Sequence, residues 1–185
     1  MWALLGLTLA MIIFAERRSL ASIGLHAPTW RTVAFAIGAA AFLAATGPVI
    51  FPLLTRSSAD YSARLAMVEG WPLGLLLFAA LTSGVEEVLY RGYAIERLKE
   101  ITGSYLLAAG IALAIFGFVH VPFWGRGPLL WFIYAGGVFT VVYLWTHDLA
   151  ACILAHILAD LKALAVDPLV RRRVALRLKR EEQET

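Results

Sequence analysis

Long apolar runs are the feature that most restricts what this chain can fold into. Six follow one another, at residues 1–14, 33–54, 71–90, 105–121, 128–145 and 149–166. Most approach the roughly 20 residues that a helix needs to cross the hydrocarbon core of a bilayer. Only helices or closed barrels satisfy the backbone in lipid, and these runs are too long for barrel strands. The sequence therefore predicts an all-α, polytopic bundle of about six transmembrane helices.

Composition agrees with a membrane protein of one domain. The 185 residues are 61% hydrophobic and 16% charged, whereas soluble domains average roughly 45–50% and 25%. We divide the chain into N-terminal spans (1–70), core helices (71–168) and a basic tail (169–185). The tail predicts contact with anionic lipid. Nucleic-acid binding is not expected, because no basic aromatic face lies outside the apolar runs.

Proline and charge positions refine the boundaries and the topology. Pro122 is predicted to end the fourth run, and Pro48 and Pro52 predict a kink or an end in the second. Basic loops after the first and third runs predict that both lie in the cytoplasm. Three more crossings would then put the basic tail outside. Either a late segment does not cross, or the tail departs from the usual charge distribution.

Ionisable side chains interrupt the core runs. Such residues are costly in a membrane and usually face the protein interior or a water-filled cavity, so they are candidates for a functional site. They are Glu86, Glu87, Arg91, His120, His156, Asp160 and Lys162.

Helical spacing predicts which of these groups pair. Glu87 and Arg91 are four residues apart and can form an ion pair on one helix face, which leaves Glu86 directed about 100° away. Asp160 follows His156 by four residues and can orient its imidazole. Lys162 lies near a segment end, where we expect its ammonium group to reach the interface.

Carboxylates and histidines in a lipid-shielded pocket suit hydrolysis. A carboxylate can deprotonate a water while an imidazole stabilises the oxyanion. The same residues could instead bind a divalent metal such as zinc, with Glu86, His120 and His156 as ligands. His-Glu-x-x-His and Gly-x-Ser-x-Gly signatures are absent. A proton relay for transport, or hydrogen bonding between helices, remains an alternative.

Three motifs in order carry a family resemblance. They are Glu86-Glu87-x-x-x-Arg91, Phe116-x-x-x-His120 and His156-x-x-x-Asp160. Together they resemble the CAAX protease and bacteriocin-processing family (CPBP, also called ABI) of intramembrane proteases. The segments 90–92, 146–149 and 22–25 add to the likeness, which is detailed over residues 83–160.

The resemblance implies a role for each motif residue. Glu86 corresponds to the glutamate that activates water, and His120 helps to hold that water. His156 and Asp160 match positions that form the oxyanion hole or complete the site, with Glu87 and Arg91 as a supporting pair. Asp160 stands where the family more often has Asn. Because a carboxylate is a poorer oxyanion donor, we expect Asp160 to orient His156 or to bind a cation.

The resemblance further implies an intramembrane endopeptidase, of the glutamate type or a metalloprotease, in a prokaryotic cell membrane. Its partner would be a peptide or protein substrate, with or without a lipid group. Whether it has no cofactor or uses a divalent metal is left open by these residues. Two other functions stay open as well: a non-proteolytic scaffold or bacteriocin-immunity protein, and a small proton-coupled transporter.

Overall fold

Every element is helical in the part of the chain that the computed structural model describes, residues 1–55, 67, 68, 71–168 and 173. The predicted external loop (56–70) lies almost wholly outside these residues, as does the basic tail, of which only Arg173 is described. The α-helices are α1 (Trp2–Ala10), α2 (Trp30–Leu54), α3 (Leu73–Glu87), α4 (Ile95–Thr102), α5 (Tyr105–Trp124), α6 (Leu129–Thr146) and α7 (Leu149–Leu161). Wider π-helical turns extend three of them, at Met11–Ala15, Val88–Ala94 and Lys162–Val166.

Within the described residues, four helical segments are long and apolar enough to cross a bilayer: Trp30–Leu54, Leu73–Thr102, Tyr105–Trp124 and Leu129–Thr146. The predicted helical membrane bundle is therefore confirmed. The first predicted span is a shorter apolar helix, Trp2–Ala15. The last is regular only as far as Leu161, next to the charged residues Asp160 and Lys162, and then continues as a π-helical turn.

The prediction that Pro122 ends its helix was wrong by two residues. Pro122 lies inside α5, which reaches Trp124 before Gly125 follows with a φ of +79°. A proline so near a helix end removes only one of the last backbone bonds, so the final turn still forms. Pro48 and Pro52 likewise lie within the closing turns of α2, which ends at Leu54.

Helix α7 is the centre of the bundle, because α2 and α3 pack along it and α6 contacts it as well. Its small residues Ala151 and Ala155 are completely buried. On α3, a methyl group added to Gly84 would come within 3.1 Å of Ile153 and Ile157. Small side chains let membrane helices approach closely, and here they bring the glutamate motif of α3 beside the histidine motif of α7.

The start of α7 is fixed by two contacts from the N-terminal part of the chain. After the short turn Leu20–Ile23, Gly24 adopts a φ of +75° and its carbonyl accepts a 2.8 Å hydrogen bond from the Leu149 amide. Asp148 caps α7 by accepting from the Ala151 amide at 3.2 Å, and it also accepts a 2.6 Å bond from the Thr32 hydroxyl on α2. These contacts give the segments 22–25 and 146–149 a structural role in placing α7.

Candidate active site

Four of the predicted site residues line one cavity of about 840 Å³. They come from three helices: Glu86 from α3, His120 from α5, and His156 and Asp160 from α7. The rest of the wall is mostly apolar and aromatic. Ionisable groups that converge in a largely apolar pocket are the usual arrangement of a ligand or active site.

Glu86 and His120 face each other across this cavity. The carboxylate Oε2 of Glu86 lies 3.8 Å from Nε2 of His120, and both side chains remain partly exposed. Nδ1 of His120 lies 2.7 Å from the Phe116 carbonyl. Since a carbonyl only accepts, we assign the proton to Nδ1, which leaves Nε2 as an acceptor. A gap of 3.8 Å is too long for a direct hydrogen bond and suits one bridging water.

His156 is held between two carboxylates. Its Nδ1 lies 2.7 Å from Oε1 of Glu87, and its Nε2 lies 3.9 Å from Oδ1 of Asp160. The imidazole also packs against the Phe139 ring, with 4.6 Å between centroids. The structure thus shows the short link from His156 to α3, and the predicted pairing with Asp160 is the longer contact.

Glu87 and Arg91 form the ion pair that their spacing predicted. Oε1 of Glu87 accepts a 2.8 Å hydrogen bond from Nη1 of Arg91, and both side chains are completely buried. The pair spans the start of the π-helical turn Val88–Ala94, a feature that often accompanies functional sites. One carboxylate therefore serves both Arg91 and His156.

Arg91 is held from a fourth helix, α6. Its Nη2 donates to the Gly136 carbonyl at 2.8 Å, and its Nε donates to the Thr140 hydroxyl at 3.4 Å. Its guanidinium carbon lies 4.2 Å from the centre of the Phe116 ring, within the range of a cation–π interaction.

Sequence reasoning missed three features of the site. The contact between Glu87 and His156 joins residues 69 positions apart, so no local spacing encodes it. Thr140 and Gly136 lie in a run without charge, where nothing marks them as partners of an arginine. Lys162 lines the cavity and pairs with Asp167 at 2.8 Å, a contact that the sequence did not indicate.

The candidate metal ligands that the structure describes in this site stand in two pairs. Among the described residues, no group of three or more His, Cys, Asp and Glu side chains is arranged to hold a metal ion. Glu86 and His120 are one pair of facing donors, 3.8 Å apart, and Asp160 with Nε2 of His156 is the other, 3.9 Å apart.

Comparison with known families places this site within a recognised domain. Residues 68–161, just over half of the chain, match the family model described as type II CAAX prenyl endopeptidase Rce1-like. Neither the curated proteins nor the solved structures contain a match. The matched region includes all three polar motifs and the helices that carry them. The chain belongs to the Rce1-like type II CAAX prenyl endopeptidase family, membrane-embedded proteases that act on peptide or protein substrates.

Proposed function

We propose that this protein hydrolyses a peptide bond with a water activated by Glu86 and His120, without a metal. The observation that carries the proposal is the 3.8 Å gap between Oε2 of Glu86 and Nε2 of His120 at the cavity wall. Nε2 of His120 in the assigned tautomer and Oε2 of an ionised Glu86 are both hydrogen-bond acceptors. A water between them would direct one hydrogen to each and present a lone pair to a substrate carbonyl.

The reaction then needs one base that later acts as an acid. Glu86 takes a proton from the water while the water oxygen attacks the carbonyl carbon of the substrate, and a tetrahedral intermediate forms. When the carbon–nitrogen bond breaks, Glu86 returns the proton to the leaving amine. His120 keeps the water in place, because the Phe116 carbonyl fixes its ring at 2.7 Å.

His156 is the proposed stabiliser of the oxyanion. In its doubly protonated form it would direct Nδ1–H to Glu87, 2.7 Å away, and hold Nε2–H near Asp160. Such a donor, fixed before the reaction, can stabilise the charge that develops on the carbonyl oxygen. Asp160 would orient this imidazolium and balance its charge.

The substrate we propose is a peptide held at the membrane by an apolar group. The cavity reaches from the polar residues into a wall of aromatic side chains, which includes Phe78, Trp124, Trp131 and Phe132. This lining suits a lipid-modified or apolar peptide better than a charged one. A prenylated carboxyl-terminal peptide, as the family description names, is the first substrate to try.

Cleavage in reconstituted vesicles tests the proposal. The purified protein should cut a prenylated peptide, whereas Glu86→Gln and His120→Ala should each abolish cleavage while keeping the unfolding temperature of the wild type. Matched controls are Glu100→Gln and His26→Ala, which alter the same residue types outside the cavity and should cleave normally. Cleavage by either cavity variant at the wild-type rate would refute the role of that residue.

The same vesicles separate the other functions. An unmodified peptide of identical sequence shows whether the apolar group is needed. A proton flux that depends on Glu86, in sealed vesicles without cleavage, would favour the transporter. A wild-type protein that cleaves neither peptide but still binds one of them would favour the scaffold.

A further inference from the structure

Thr140 and Gly136 on α6 form a seat for the buried Arg91. Three different nitrogens of the guanidinium each have a partner: Nη1 donates to Glu87, Nη2 to the Gly136 carbonyl and Nε to the Thr140 hydroxyl. The Phe116 ring covers one face of the guanidinium, with its centre 4.2 Å from the guanidinium carbon. These contacts together fix the orientation of the Arg91 side chain.

The Thr140 hydroxyl is itself oriented for this contact. It donates its one hydrogen to the Gly136 carbonyl at 2.8 Å. A threonine hydroxyl has a single donor and two acceptor lone pairs, so it can only accept from the Nε–H of Arg91. The Gly136 carbonyl thereby receives two hydrogen bonds, one from Thr140 and one from Arg91.

Gly136 makes room for the guanidinium. A methyl group added there would lie 2.7 Å from Nη2 of Arg91 and 2.8 Å from carbons of the Phe116 ring. Contacts this short force the neighbours to move. The missing side chain at 136 is therefore a requirement of the arginine seat and also of Phe116, whose carbonyl holds His120.

From this chain of contacts we infer that Thr140 is a positioning residue for the reaction. Thr140 acts through Arg91, whose guanidinium orients the Glu87 carboxylate. That carboxylate in turn holds Nδ1 of His156 at 2.7 Å. Arg91 and Glu87 are fully buried and 1% or less exposed, so water cannot replace a lost partner easily. The inference rests on the proposed function only in assuming that His156 takes part in the reaction.

Replacement of the hydroxyl tests the inference. Thr140→Val removes it at nearly constant shape, and Thr140→Ser restores it. Thr55→Val is the matched control. The Thr55 hydroxyl donates to the carbonyl of Phe51, four residues earlier, at 2.7 Å, and Thr140 makes the same kind of bond to Gly136. We expect Thr140→Val to lower kcat about tenfold or more, because displacing a reacting group by even a fraction of an ångström to about 1 Å has effects on this scale. KM should stay near the wild-type value, and the pH–rate profile should be displaced. Thr140→Ser should restore kcat and the profile, and Thr55→Val should match the wild type.

Nuclear magnetic resonance of histidine-labelled protein supplies a second measurement that does not need turnover. The Nδ1–H signal of His156, assigned with His156→Gln, should shift in Thr140→Val and return in Thr140→Ser. An unchanged His156 signal in Thr140→Val would overturn the inference, as would an unchanged kcat and pH profile. If the wild type does not cleave but the His156 signal responds, the positioning role stands and the proposed function fails.

Discussion

Arg91 combines a full positive charge with complete burial, so its removal should be costly. Arg91→Met keeps the length of the side chain but removes the guanidinium that pairs with the buried Glu87 carboxylate. Breaking a buried pair in this way typically costs about 3–5 kcal/mol. We expect a large fall in the thermal unfolding temperature in detergent. Arg18→Met is the control, because Arg18 pairs with Glu100 at an exposed position, where single ion pairs contribute little. Equal effects of the two substitutions would contradict this account.

Asp160 offers a second test at the scale of single residues. In the proposed mechanism its charge supports the His156 imidazolium from 3.9 Å. Asp160→Asn removes that charge and keeps the shape, so kcat should fall by about tenfold, as for other groups that support a reacting histidine. The kcat of Asp160→Ala should fall at least as far as that of Asp160→Asn. If Asp160→Asn is as active as the wild type, or more so, the side chain acts instead as a hydrogen-bond donor to the oxyanion.

Helical spacing made part of the site predictable from the sequence. The Glu87–Arg91 pair and the direction of Glu86 follow from a rotation of 100° per residue. The site residues themselves could be identified because they are ionisable residues within apolar runs. The contact of Glu87 with His156 depends on how closely α3 and α7 approach, which Gly84 and the alanines of α7 decide. The seat of Arg91 depends on a backbone carbonyl, which every helix carries, and on a hydroxyl of α6 that nothing in its uncharged run marks as a partner of arginine.

At the scale of elements, the crossing between the π-helical turn Val88–Ala94 and the start of α7 is a tight contact that supports the site. A methyl group at Gly92 would lie 2.7 Å from Cδ2 of Leu149 and 3.1 Å from the Ile23 carbonyl. Gly92→Ala should therefore destabilise the protein by about 1–3 kcal/mol, as overpacking does, and lower kcat by displacing His156. Gly110→Ala is the control, with no atom within 4 Å of the added methyl. Its unfolding temperature should equal that of the wild type or rise slightly. A similar loss of stability in both variants would contradict this explanation.

A polar clasp joins the end of the first helical segment to α4. The Glu16 carboxylate accepts bonds from Nε and Nη2 of Arg97, at 2.9 and 2.6 Å, and from the Tyr93 hydroxyl at 2.9 Å. The Arg97 hydrogen bonds hold the pKa of Glu16 below its ordinary value of 4.5. A carboxyl with a lower pKa in the folded state stabilises the fold above its unfolded-state pKa. That stabilisation is lost as the pH falls through the folded-state pKa.

The clasp thus predicts an acid-dependent part of the stability. Between about pH 6 and pH 3, the range that spans the titration of a glutamate, the unfolding temperature of the wild type should fall more than that of Glu16→Gln. The unfolding temperatures of the wild type and Glu16→Gln should differ most at the higher pH. Parallel curves for the two proteins would show that the clasp contributes nothing to folding.

For the whole molecule, the position of the cavity indicates how a substrate arrives. Helix α2 packs on α6 and α7, and the cavity lies between α2 on one side and α3 on the other. The outward faces of both helices expose large apolar side chains, such as Ile37, Phe42, Leu73 and Leu77, as expected for surfaces in lipid. We therefore propose that a substrate with an apolar group approaches Glu86 sideways from the bilayer.

Narrowing the cavity from α2 should impair binding more than chemistry. Ala44 lines the cavity, and Ala44→Phe would place a ring in the space that the apolar part of a substrate needs. We expect KM for a membrane-anchored peptide to rise about tenfold or more, since removing about 1.4 kcal/mol of binding has that effect, while kcat changes little. Gly38→Phe on the same helix is the control, because Gly38 faces outward with open space around it. If Ala44→Phe lowers kcat and leaves KM unchanged, the cavity serves the reacting groups and the substrate enters elsewhere.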